Sequence, residues 1–337
     1  MSILIQKSGI LSTIQDTGRK GFRRFGINPN GAMDKTAARL INILLGNFES
    51  EAILEMHFPA PTIAFEESAI IALGGADFGA KIDDKTVENW RPYSVEKNQT
   101  LSFTKKISGN RAYLAVKGEF KIERWLGSAS TNLIAKIGGF EGRNLTKGDR
   151  LSFNSRFQIP DSKSTIHNSR FKIQDSRFPY KISKNMIPLY SSFPTVRVVA
   201  GAEFQRFTKA SERDFLKQTF TVSNDSNRMG FRLNGKPLFL REKVELVSSA
   251  VDFGTIQLLP DGQMIVLMAD AQTSGGYPRI AHVVSKDLPI LAQLGANDKV
   301  CFEMVSAPTA ENLIAEFEND LNWLRIGVNL KNQYRKK

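Results

Sequence analysis

The sequence is poor in the residues that build covalent and metal-bound frameworks. It holds one cysteine, Cys301, among 337 residues. A single thiol excludes an internal disulfide and a cysteine zinc cluster. Cys301 lies in KVCFEMV, a segment patterned as a strand, and reads there as a small buried hydrophobe. No His or Asn motif accompanies it, as a nucleophile would need. The three histidines, His57, His167 and His282, are isolated and no HExxH occurs, so no metal site is expected. Long apolar runs are also missing. Stretches such as LINILL (Leu40–Leu45) and MIVLMA (Met264–Ala269) are far shorter than the roughly 20 residues that span a bilayer. No basic region leads into an apolar run after Met1, so a secretory leader is not expected and the compartment reads as cytoplasm.

Nucleotide and hydrolase signatures are missing as well. There is no GxxxxGK[ST] P-loop, no GxGxxG opening a βαβ unit and no GxSxG elbow. Negative charge is in deficit: 46 Lys and Arg face 34 Asp and Glu, a net charge of +12. Such an excess suits nucleic acid, an anionic membrane surface or an anionic substrate. It is spread along the chain, and no RNP, C2H2 or KH signature accompanies it, so neither nucleic acid nor membrane is an expected partner.

What is present is mostly β. Short segments rich in Val, Ile, Phe and Thr recur between turn signals, among them PTIAFEE, AIIALGG, RAYLAVKG, PTVRVVAG, GTIQLLP and QMIVLMAD. That spacing predicts barrels or sandwiches. Helices are few. Asp34 is placed to cap a helix bearing Ala37, Leu40, Ile41, Leu44 and Leu45, with Gly46 as its stop. SKDLPILAQLG holds a short helical turn. From Ala310, residues Leu313, Phe317, Leu321, Leu324 and Val328 share one helical face, which either packs on the body or takes a partner.

The composition divides the chain into a first half at 1–154, a Ser-, Lys-, Asn- and Pro-rich linker or insertion at 155–193, a second half at 194–309 and a C-terminal amphipathic helix with a basic tail at 310–337. The linker region carries a near-repeat, NSRFQIPDS and NSRFKIQDS. The two halves echo each other where KGDRLSFN closes the first and ANDKVCFEMV the second.

Four glycine-rich polar segments carry the chemistry. They are STIQDTGRKGFRRFGINPNGAMD, LGSASTNLIAKIGGFEGRNLTKGD, SNDSNRMGFRLNG and LMADAQTSGGYPRIA. Glycine lets backbone N–H groups approach a ligand, and arginine supplies a planar fork for carboxylate or phosphate. Arg19, Arg143, Arg228 and Arg232 lie beside such glycines, with Asp16, Asp34 and Asp270 to orient them or act as bases. Tight turns between strands would use the same residues, but four large polar loops cost more conformational entropy than a plain barrel needs.

These blocks resemble the biotin-dependent carboxyltransferase-like family, which includes the C subunit of 5-oxoprolinase, allophanate hydrolase subunit 2-like proteins and the carboxyltransferase part of urea carboxylase. The resemblance runs in order from about Ile3 to Val305. It implies a mainly β fold: two cyclophilin-like β-barrel domains with few helices and a C-terminal helix. Ala129 and Asn132 stand where the second block usually has Arg and Asp, and Asn30 where the first often has Ser.

The resemblance further implies an ATP-dependent 5-oxoprolinase complex that opens 5-oxo-L-proline to L-glutamate. This chain would be one of its three parts, the others being a KipI-like B subunit, which pairs with this chain, and the separate A subunit. ATP would act at the level of the complex, and no covalent biotin site is present. Such a reaction, by phosphorylation of the amide oxygen and attack of water, needs cations for anions and donors for the lactam oxygen. Asp16, Asp270 and Arg228 are the expected catalytic residues. Arg19, Asp34, Ser128, Thr131, Arg232, Gln257, Thr273, Gly275, Gly276, Tyr277 and Gln293 are the expected substrate-binding residues. Two other readings use the same fold: carboxyl transfer from carboxybiotin on another protein to urea or a related amide, and a non-enzymatic antagonist of a KipI-like kinase inhibitor.

Overall fold

The fold is that of a computed structural model, which describes residues 1–154, 180–242 and 244–334. All of the near-repeat but its first residue, Asn154, and most of the expected linker lie outside the described residues. Four helices are described: α1 (Lys35–Leu45), α2 (Lys209–Lys217), α3 (Leu288–Ala292) and α4 (Ala307–Tyr334). Apart from three short 3-10 turns, Arg23–Phe25, Lys184–Met186 and Phe204–Arg206, the rest of the regular structure described is β, as the short apolar segments require.

In the first half, two sheets enclose one core. The larger runs in the order Glu119–Phe120, Arg150–Asn154, Ser2–Lys7, Thr62–Phe65, Thr100–Phe103, Ala80–Ile82, Lys85–Thr86. The smaller runs Ser12–Gln15, Ile53–Met56, Ser108–Val116, Ala69–Asp77, Pro92–Val95. Alternation sends Ile3, Ile5, Leu151 and Phe153 inward, where they meet Leu54, Phe65, Ile71 and Leu114. Burying each such side chain contributes about 1.5–3 kcal/mol. The smaller sheet is covered on its other face too, by α1, which packs Leu40 and Ile41 with Ala72, Tyr113 and Ala115. This is why Arg111–Val116 is buried without alternation.

Helix α1 forms as its caps predict. The Asp34 carboxylate accepts from Ala37 N at 2.8 Å, and Gly46, at φ 74°, ends the helix with its N–H on the carbonyls of Asn42 and Ile43.

The second half is a closed barrel. Its strands run Thr195–Ala200, Arg279–Val283, Thr255–Leu258, Met264–Leu267, Gly230–Asn234, Phe220–Val222 and Lys299–Met304, and the last pairs with the first in parallel. Phe215 of α2 stacks on Phe302 at 5.2 Å, within a cluster with Phe204, Phe207 and Phe220. Val300 and Phe302 point into this core, and the alternation turns Cys301 outward. Cys301 is therefore half-buried, with its Sγ 3.5 Å from Thr219 Oγ1, rather than the buried residue expected. The echoing segments are the closing strands of their halves, but Arg150–Asn154 joins its first strand antiparallel where Lys299–Met304 joins in parallel.

Helix α4 begins at Ala307 rather than Ala310 and returns to the first half. Phe317 and Leu321 enter the cluster around α1, and Val328 is buried further along the same face. Arg39 of α1 grips Glu318 through both oxygens at 2.6 and 2.7 Å.

Candidate functional site

The opening glycine-rich loop, 16–34, lies between the two halves. Gly31, at φ 98°, passes so close to the preceding turn that a Cβ would sit 2.9 Å from Gly18 N and 3.1 Å from Asp16 O. Only glycine lets the two backbone runs meet there. Asp16 is buried and saturated. It accepts from Gly18 N, Ala129 N and Ser128 Oγ, each at 2.7 Å, and from Ser130 Oγ. It ties the first polar block to the second. Arg19 donates to Asn30 Oδ1 at 2.8 Å and to Ser130 O, and its guanidinium lies 4.7 Å from the centre of Trp125. Burial lowers its pKa, while Asp16 and Asp270 act to raise it.

A buried ion network crosses from one half to the other. Arg228 donates through Nε to Asp270 Oδ2 at 2.8 Å and through Nη2 to Asp270 Oδ1 at 2.9 Å. Its Nη2 also donates to Gly31 O at 2.7 Å, and its Nη1 pairs with Glu55. Burial acts to lower the Arg228 pKa, but Asp270 and Glu55 outweigh it and hold the pKa above its ordinary value. The other oxygen of Glu55 accepts from Met33 N and Tyr113 Oη, both at 2.9 Å. Asn30 donates to Asp270 at 2.7 Å.

A second set of bonds converges on Gln293. Its Oε1 accepts from Asn110 N and Arg111 N, both at 2.9 Å, while its Nε2 donates to Arg111 O at 2.9 Å and Asp34 Oδ2 at 3.0 Å. Tyr190 Oη donates to the same Asp34 oxygen at 2.6 Å.

Beside this network opens a cleft of about 520 Å³ between the halves. Leu11, Leu133, Ile134, Met229 and Phe231 line it, with Arg111, Arg228, Asp270 and His57 among its charged and polar groups. An apolar pocket with a few convergent polar groups is the ordinary form of a small-molecule site. Two buried atoms of its lining have no partner: Arg111 Nε and His57 Nε2. Burial, then the Arg111 and Arg228 charges, push the His57 pKa down to about 2, so its imidazole is neutral throughout the physiological range.

The carboxyltransferase domain, subdomain A and B, matches residues 25–304 of this chain. The chain belongs to this carboxyltransferase-domain family. It is 38% identical to the 5-oxoprolinase C subunit of Haemophilus influenzae over 321 residues, 95% of this chain and 97% of that one. To the 5-oxoprolinase C subunit of Escherichia coli it is 37% identical, covering 91% and 92%. A urea amidolyase of Lachancea kluyveri is 30% identical over 92% of this chain, but only 17% of its own length is covered. The crystal structure of the K. lactis urea amidolyase superposes with a TM-score of 0.85 at 26% identity, over 96% of this chain and 20% of that one.

Within this carboxyltransferase domain the expected site residues fall into three groups. Arg228 and Asp270 line the cleft, while Asp16, Arg19, Asp34 and Gln293 belong to the network behind it. Ser128 and Thr131 are buried supports, Ser128 on Asp16 and Thr131 with its hydroxyl on Ile14 O at 2.9 Å. Asn132 donates to Asn28 Oδ1 at 3.0 Å, a neutral contact.

The third group stands apart from the cleft lining. Arg232 projects from the outside of the barrel strand Gly230–Asn234, because the alternation turns Phe231 and Leu233 inward. Gln257 is buried, with Nε2 3.3 Å from Tyr277 O and its Oε1 unpartnered. A Cβ on Gly275 would meet that Nε2 at 2.7 Å, so Gln257 lies directly beneath Gly275. Thr273, Gly276 and Tyr277 continue that surface segment, with Tyr277 46% exposed. Sequence reasoning missed Glu55, Arg111 and Tyr113, which sit in segments patterned as core strands, and set His57 aside as isolated. The unusual feature available was a charge inside an apolar strand, as in ILEM and RAYLAV.

Burial, outweighing the bonds from Tyr190, Ala37 and Gln293, raises the Asp34 pKa from its ordinary value of 3.8 to about 6. Between about pH 4 and 6 the folded chain keeps a proton that the unfolded chain has released. Asp34 therefore makes stability fall as pH rises through that window, by on the order of 2–3 kcal/mol at about 1.4 kcal/mol per pH unit. Asp34→Asn retains a capping oxygen and removes this slope. Urea denaturation of both proteins at intervals from pH 4 to 7 measures it, and equal slopes would rule out the assignment.

Proposed function

We propose that this chain is the C subunit of an ATP-dependent, cytoplasmic 5-oxoprolinase. In this reading it acts with a KipI-like B subunit, together with the A subunit, to open 5-oxo-L-proline to L-glutamate. The observation that carries this reading is mutual coverage. The two relatives named as the C subunit of 5-oxoprolinase match nearly end to end, whereas the urea amidolyases extend far beyond the matched region. The two-barrel division of the chain, at 1–154 and 194–309, is part of the same reading.

5-Oxoproline is a small lactam bearing a carboxylate, and the cleft between the halves offers complementary chemistry. Arg111, whose Nε is unpartnered, receives the carboxylate beside the paired Arg228, the apolar walls take the ring, and neutral His57 meets the amide through its free Nε2. Asp270 and Glu55 hold Arg228 in place, and Asp16 fixes the loop that frames the cleft. ATP, at the level of the complex, supplies the phosphoryl group that activates the amide. This chain binds and orients the lactam for that attack.

Reconstitution tests the reading. The chain, its A and B partners, 5-oxoproline and ATP are mixed and glutamate is followed. Release that stops when this chain is omitted is the expected outcome. Carboxyl transfer to urea is the second reading, favoured by the TM-score of 0.85 with the K. lactis urea amidolyase. A stable three-part complex that releases no glutamate, but consumes carboxybiotin with urea, would replace the first reading by the second.

A further inference from the structure

Among the described residues, a group of cations without ion pairs lies outside the cleft between the halves. A second cleft, of about 600 Å³, is bordered by the start of α1, the loop around Phe253 and α4, and shares no lining residue with the first. Most of its charges cancel. Arg39 binds Glu318 and Glu49, Arg325 also binds Glu49, and Arg23 binds Asp252. That leaves Lys20, Lys35 and Lys286 on the lining. Among the described residues none of the three makes a hydrogen bond or an ion pair. Lys286 Nζ lies 4.1 Å from the centre of the Phe317 ring, and Glu316 and Asp320 stand near it without pairing.

Lys35 is the least favourable of these charges. It is the first residue of α1, where the helix already presents its positive end. Burial lowers its pKa, Asp252 and Asp16 act to raise it, and Lys20 and Arg228 lower it further. Lys35 and Lys286 are partly buried with no acid in ion-pair contact, Lys20 stands exposed beside them, and an anion entering the cavity would answer all three charges. The hydroxyl residues Thr17, Thr36 and Ser285 also line the cleft, and Phe253 and Phe317 add apolar wall.

We propose that this second cleft binds the phosphate groups of a small organic phosphate of nucleotide size. A carboxylate carries one charge and is satisfied by a single guanidinium fork. A phosphate ester carries up to two charges on three oxygens and accepts from several separate ammonium groups, for which lysine serves as a point charge. The volume exceeds what a bare phosphate fills and falls in the range of ligand pockets. The inference stands whether or not the lactam reading does.

Isothermal titration of the full chain with ADP, pyrophosphate and citrate is the test. ADP and pyrophosphate are expected to bind, and Lys35→Gln and Lys286→Gln each to weaken them by about tenfold or more, with rising salt acting in the same direction. Lys286 stands at the second-cleft face of Phe317, apart from α1, so Lys286→Gln keeps the test open if Lys35→Gln disturbs the helix. The proposal is overturned if neither anion gives heat, if citrate binds as tightly as pyrophosphate, or if both variants bind ADP like the unaltered chain.

Discussion

Replacing Arg228 by alanine should lower the free energy of unfolding by about 3–5 kcal/mol, because it strips the partner from two buried carboxylates. Asp270 would lose both prongs of its fork, and Glu55 would keep only Met33 N and the Tyr113 hydroxyl. Both acids are buried, at 5% and 1% exposed, so little water replaces the lost partner. Arg228→Lys should recover little, because an ammonium cannot reproduce the planar fork that also reaches Gly31 O. Urea denaturation with a shared m-value measures the change, and a loss below about 1 kcal/mol would mean that the network relaxes around the gap. In the reconstituted complex the same substitution should abolish most glutamate release, as one of the two guanidinium groups of the cleft is gone. A complex with unaltered turnover would remove Arg228 from the site and leave it a purely structural ion.

Gln293→Ala is the second large effect expected. One carboxamide serves four partners, three of them buried: the N–H groups of Asn110 and Arg111, the carbonyl of Arg111 and the carboxylate of Asp34. Each buried group left unpaired costs about 1–3 kcal/mol, so the total approaches that of a broken buried ion pair. The substitution acts on function through Arg111, whose backbone it holds while the guanidinium lines the cleft. KM for 5-oxoproline should rise by more than kcat falls, since ground-state positioning is what is lost. A fall in kcat with KM unchanged would place Gln293 in the chemistry rather than behind it. Gln293 was expected to hydrogen-bond a substrate amide, but its own amide is fully used within the protein.

How far the fold was legible depended on how local its causes are. The cap at Asp34, the stop at Gly46 and the apolar face of α4 are each decided by residues within a few positions of one another, and all three stand as expected. Strand content followed from period-2 patterning in the same way. The polar blocks were recognisable as a group, and two of their members, Arg228 and Asp270, do line the cleft. Arg232, four residues from Arg228 in the sequence, does not, because the strand it enters directs alternate side chains to opposite faces of the barrel.

By itself, the sequence determined a mainly β chain, a capped helix, a C-terminal amphipathic helix and a set of glycine-rich polar loops that resemble those of a carboxyltransferase-domain family. Only the tertiary structure decided which charges meet. Glu55 and Arg228 are 173 positions apart, and Asp34 and Gln293 are 259 apart. A charge is tolerated inside a protein when a partner of opposite sign or a set of donors is delivered to it. That delivery depends on how the two halves dock, so neither member of such a pair carries a local mark of the other. The same holds for Lys35: that its ammonium meets the Phe253 ring at 5.8 Å and no carboxylate in ion-pair contact is a property of the assembled cleft, written nowhere in the residues beside it.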